Sequence, residues 1–215
     1  MGKRMAAALV AALALAAGAG AAEKLAPGKL AEAVSAQVQG ASGRAGRSVE
    51  LLADFQAPPA AGLFQQADEA AAAVGAAAAT LQRMDASARP ELAAASLNYL
   101  RAAQNLVKDL QDARRKAAHA EALDREGARI AAEVKDARDH SDRPALLERM
   151  EKAFGQSDDA EAAMKESVTR AAAALAELEL RRSLLAAQLG SSDALLPEKT
   201  LAVVRRGLQA VQPAE

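Results

Sequence analysis

His140 is the residue best placed for metal chemistry. It lies in the run Asp136-Ala-Arg-Asp139-His140-Ser-Asp142. Asp136 and His140 stand at i, i+4 and share one helix face, and Asp139 and Asp142 add two nearby carboxylates, a hard-ligand set with one imidazole. Metal sites in helical bundles draw Glu-x-x-His motifs from facing helices, and the chain has no Glu-x-x-His. The plainer reading is a solvated helix end whose imidazole sits near the negative end of the helix dipole.

The second histidine, His119, lies between Ala118 and Ala120 with Glu121 close by, and reads as a solvated side chain. A Met–His haem would need one of Met84, Met150 or Met164, and nothing in the spacing selects a pair. No cofactor is expected. There is no Cys, which removes thiolate ligands, disulfides, covalent haem attachment and a thiol nucleophile. The Ser, P-loop, dinucleotide and zincin signatures are also missing. Gly40, Gly43 and Gly46 resemble a phosphate cradle only in composition. Gln37-Val38-Gln39 before them reads as helix and not as the strand such a loop needs. Aromatic residues make up 2% of the chain and Trp is lacking, so the usual lining of a ligand pocket is scarce. These features exclude the common catalytic classes, and the chain is not expected to be an enzyme.

What remains is a surface that makes contacts, and the elements that present it are helices. In 92–137 a heptad frame puts Leu92, Tyr99, Leu106, Ala113, Ala120, Gly127 and Val134 at a. It puts Ala95, Ala102, Asp109, Lys116, Leu123, Ile130 and Ala137 at d. Twelve of the fourteen are apolar or Gly, so the seam is sustained, and it is least apolar at Asp109 and Lys116. These two mark the expected interaction surface. Exchanging them for Leu is expected to stabilise the fold and alter association. Replacing both Leu106 and Ile130 with Asp is expected to abolish folding. A helix from Pro90 to His140 would be about 75 Å long. Its apolar stripe calls for a partner helix.

The neighbouring segments follow the same grammar. Phe64, Ala67, Ala71, Val74, Ala78 and Leu81 recur at 3-4 spacing. Helices are expected over 29–39, 48–56, 61–84, 143–154, 159–189 and 197–212. The breaks are the glycines of 40–46, Pro58-Pro59, Gly155 and Gly190. Asp158 with Glu161 reads as a capping box, and Gly190 as a helix C-terminal glycine. The string Ser-x-Arg-Pro-x-Leu occurs at 87–92 and 141–146, and is read as shared helix-start grammar. In the last helix Arg205-Arg206 flank an apolar face, which is expected to pack on the bundle and not on a membrane.

The chain opens with Lys3-Arg4, an uncharged Ala/Leu/Val run over 6–17, and Ala19-Gly20-Ala21, the pattern of a secretory signal cleaved after Ala21 or Ala22. The apolar run is shorter than the ~20 residues of a membrane span. Removing Lys3 and Arg4 takes the net charge from −1 to −3. That balance leaves no electrostatic footprint for nucleic acid.

The expected fold is therefore all-α: an elongated helical bundle or antiparallel coiled-coil-like hairpin after an N-terminal signal peptide. Its divisions are 1–22 as signal, 23–60 as short helices with flexible Gly/Pro connectors, and 61–215 as the bundle. The expected role is that of an envelope scaffold, adaptor or chaperone-like protein, in the periplasm or secreted. It would work through an envelope protein partner or by self-association. The alternative is a bundle that holds a lipid, metal or porphyrin.

Overall fold

The computed structural model describes residues 26–136 and 142–212. The signal at 1–22 lies outside them. Among the described residues there are five helices and no strand: α1 (Pro27–Leu52), α2 (Leu63–Arg83), α3 (Pro90–Asp136), α4 (Arg143–Leu189) and α5 (Glu198–Val211). The protein is an all-α helical bundle. None of these helices is long and apolar enough to cross a membrane.

α3 and α4 are 47 residues each and pack along their length as an antiparallel hairpin. The direction follows from the pairs that meet. Arg89 reaches the Gln188 carbonyl, Lys116 meets Ser167, Asp124 meets Ser157, and Gly127 lies under Phe154. All seven a positions of the heptad frame are buried, from Leu92 to Val134. Of the d positions, Ala102 and Ile130 are buried, Ala95, Asp109, Lys116 and Leu123 are half-buried, and Ala137 lies outside the described residues.

Two glycine-marked breaks are absent. α1 runs unbroken through Gly40, Gly43 and Gly46. Each interior Gly costs helix roughly 1 kcal/mol. Burial of Leu30, Val34, Val38, Ala45, Val49 and Leu52 on one continuous face outweighs that cost, since a buried Leu or Val contributes about 1.5–3 kcal/mol. Ser48, the expected start of a separate helix over 48–56, is instead a buried residue in the last turns of α1. Likewise α4 passes through Gly155 without a stop, so Asp158 and Glu161 are exposed mid-helix residues and cap nothing. The α3 seam opposite holds this stretch helical. Gly190 does end α4, at φ 73, with its N–H bonded to the Ala186 carbonyl.

The core divides in two. The main cluster takes in α1, α2, α5 and the adjoining halves of α3 and α4, ending near Ala113 on α3 and Met164 on α4. We call this part the base. Beyond it α3 and α4 continue alone as an arm of roughly 35 Å. The arm's own cluster is small: Ile130, Val134 and Ala153, with Leu146 and Met150 half-buried against them.

In the base Tyr99 is fully buried. Its hydroxyl lies 2.9 Å from Ser42 Oγ of α1 and accepts the Leu196 N–H at 2.9 Å. Burial pushes its pKa up, against the opposing effect of these two bonds and the Arg182 charge. α5 closes the base through Leu201, Val204 and Leu208, so its apolar stripe is spent on packing. Gly207 permits the approach: a Cβ there would collide with the Ala53 carbonyl. Arg205 bonds Glu179 of α4, and Arg182 donates to the Leu196 carbonyl at 2.8 Å and pairs with Glu198 at 3.3 Å.

Candidate functional site

Asp109 and Lys116 both lie where α3 faces α4, one heptad apart, and the structure puts them in different circumstances. Lys116 is engaged within the chain. Its Nζ donates to Ser167 Oγ at 2.8 Å and pairs with Asp112 at 3.0 Å. Ser167 is fully buried and donates to Asp112 Oδ2 at 2.8 Å. Arg170 completes the cluster, with Asp112 at 2.6 Å and Glu166 at 2.9 Å. Burial alone would raise the Asp112 carboxyl. The hydrogen bonds from Lys116 and Ser167 and the charges of Lys116 and Arg170 outweigh it and hold the group below its ordinary value.

Asp109 is half-buried and lines an open groove of about 350 Å³ with Ala102, Asn105, Arg170 and Ala174. Burial raises its pKa, Arg170 opposes the rise and the Asp112 charge adds to it. A serine beside a lysine invites comparison with a nucleophile and its base. Here Lys116 is ion-paired with Asp112, and the Ser167 hydroxyl is turned into the seam and bonded to Asp112. The cluster is a clamp between α3 and α4.

The metal candidates divide at the edge of the described residues. Asp136 ends α3 and Asp142 precedes α4, both exposed, while Asp139 and His140 lie outside the described residues. Among the described residues no three His, Asp or Glu side chains gather as metal ligands. His119 is exposed on α3.

Three side chains with contacts important to the structure lie outside the a and d positions of the α3 frame. Arg114 sits one residue past the seam, yet it is 2% exposed. It donates to the carbonyls of Phe55 and Ala57, its guanidinium lies 5.6 Å from the Phe55 ring centre, and its Nε is buried without a partner. It pins the α1–α2 loop. Ser167 has no reading in the sequence beyond its place in the helix expected over 159–189. Phe154, read as a helix end, lies across α3. A Cβ at Gly127 would stand 3.0 Å from its ring, which remains 41% exposed. Gly127 and Phe154 are equidistant in sequence from positions 140–141, and a small residue and a large one at matched distances from the break between two helices is the clue that would have found them.

The arm thus presents Phe154 and Leu147 to solvent beside a thin core. No protein-family model, curated protein or solved structure matches the chain.

Proposed function

We propose that this is an exported protein of the bacterial periplasm, or a secreted one, with a non-catalytic role. It works through protein–protein contacts as an envelope scaffold, adaptor or chaperone-like partner. The observation that carries this reading is the arm. Two helices leave the base together, bury little between themselves, and hold Leu147 and Phe154 at 38% and 41% exposure. An exposed aromatic on a projecting element is suited to contact with another polypeptide. A groove of about 480 Å³ in the base opens to solvent and is lined partly by Glu32, Ser35 and Asp193. That lining supports a bound lipid or porphyrin less well.

The export half of the proposal rests on the residues of 1–22. Fractionation with N-terminal sequencing tests it: the mature chain should begin at Ala22 or Glu23 in the extracytoplasmic fraction. Crosslinking in the intact envelope from a photoreactive group at 147 or 154 tests the contact half. Capture of a defined protein is expected. An empty result at both positions, with capture from the base, would move the function elsewhere on the molecule.

A further inference from the structure

We propose that the arm of one copy docks on α1 of a second copy, antiparallel helix to helix. The inference rests on the reading of the arm as a contact surface, and it names the occupant.

Two outward helix strips carry it. On α4, Leu147, Glu151, Phe154 and Asp158 follow i, i+4, i+7, i+11 and line one face. On α1, Gly40, Arg44, Arg47 and Leu51 follow the same spacing on the exposed side. Leu51, Leu147 and Phe154 are three of the five large apolar side chains that stand exposed among the described residues. Glu151 and Asp158 meet no cation, and Arg44 and Arg47 no carboxylate, among the described residues. Each strip is left incomplete in the same way among the described residues: one sign of charge with no ion-pair partner, beside an apolar side chain that stays partly in solvent.

Laid antiparallel, the strips complement each other at every position. Leu51 meets Leu147. Arg47 meets Glu151. Arg44 comes over the Phe154 ring and within reach of Asp158. Gly40 gives Asp158 room. An arginine over a phenylalanine is a contact this chain already makes twice, Arg114 on Phe55 and Arg115 on Phe64 at 5.6 and 5.1 Å. The parallel arrangement would instead set Leu51 against Asp158. Gly40 and Gly43 also gain a reason. Among the described residues nothing lies within 4 Å of a Cβ at either position, so packing among them does not call for glycine there.

Within one chain the strips lie apart. α1 belongs to the base, and Phe154 packs opposite Gly127, well beyond Ala113, the last α3 residue of the main cluster. They meet between copies. Used twice about a two-fold axis the contact closes a dimer, and used head to tail it builds an open chain.

Sedimentation of the full mature chain over a concentration series tests this. Self-association that weakens as salt rises to about 0.5 M is expected. Arg44→Glu with Arg47→Glu should weaken it by about tenfold or more. Glu151→Arg with Asp158→Arg should do the same. Mixing the two double variants should restore association, because each supplies the charge the other's strip needs. Unchanged thermal melts would separate this from misfolding. A monomer at every concentration, or no restoration on mixing, would overturn the proposal. Envelope crosslinking separates it from the functional reading. A monomeric chain that still captures another protein through 154 would sink this inference alone, whereas self-association with no captured envelope protein would sink the adaptor role alone.

Discussion

Asp109 and Asp112 lie three residues apart on one helix, yet their carboxyls are displaced in opposite directions. The raised pKa of Asp109 means that the folded chain holds its proton more tightly than the unfolded chain does. Its carboxylate therefore costs stability at neutral pH, a cost relieved as the pH falls through the folded pKa. Asp109→Asn should raise the melting temperature at pH 7, and its advantage should shrink as the pH enters the carboxylate range. Asp112 has the other sign. Its contribution is present above the ordinary carboxylate pKa and is lost as the pH falls through the depressed one. The two seam positions are therefore not equivalent. Leu at 109 removes a cost, while Leu at 116 leaves Ser167 and Asp112 without their lysine, and thermal melts of the separate variants should move in opposite directions. Tyr99→Phe strands both Ser42 Oγ and the Leu196 N–H, and should cost about 1–3 kcal/mol in denaturant melts.

At the scale of elements, the parts legible in the sequence are those where periodicity is long. The α3 seam is readable because seven consecutive a positions are apolar or small. The ends of α5 and the stop at Gly190 are readable because Pro197 and a left-handed glycine act locally. The glycines of α1 and Gly155 mislead because their local cost is set against burial contributed by other helices, which a local reading does not contain. Arg114 and Phe154 are hidden for a related reason: their roles are fixed by the α1–α2 loop and by Gly127, distant in sequence. The same division predicts unequal responses. Among the described residues nothing lies within 4 Å of a Cβ at Gly155, so Gly155→Ala should stabilise the arm helix by about 0.5–1 kcal/mol. Gly207→Ala should cost about 1–3 kcal/mol and loosen α5, read by hydrogen exchange across 198–211. Leu106 and Ile130, both apolar positions of the same seam (a and d), lie in separate clusters. Leu106→Asp should abolish the fold, whereas Ile130→Asp should melt the arm and leave a cooperative transition from the base, visible by circular dichroism.

For the molecule as a whole, base and arm differ in how much holds them. Amides of the arm should exchange faster than those of 92–113 and 168–185, because few buried apolar contacts oppose local opening there. The arm also carries the acid of the protein. Residues 121–136 and 142–161 hold eleven Asp and Glu against six Lys and Arg. That excess favours a cationic partner surface, which α1 of a second copy supplies through Arg44 and Arg47. Tyr99 adds a practical consequence. It is the sole tyrosine in a chain without tryptophan, and it sits where α1, α3 and the segment before α5 converge. The near-ultraviolet absorbance and emission of the protein therefore come almost wholly from one point in the base. An optical melt would follow that point and pass over the arm in silence, so a titration in which helical circular dichroism falls while tyrosine emission holds steady would be the signature of an arm unravelling on an intact base.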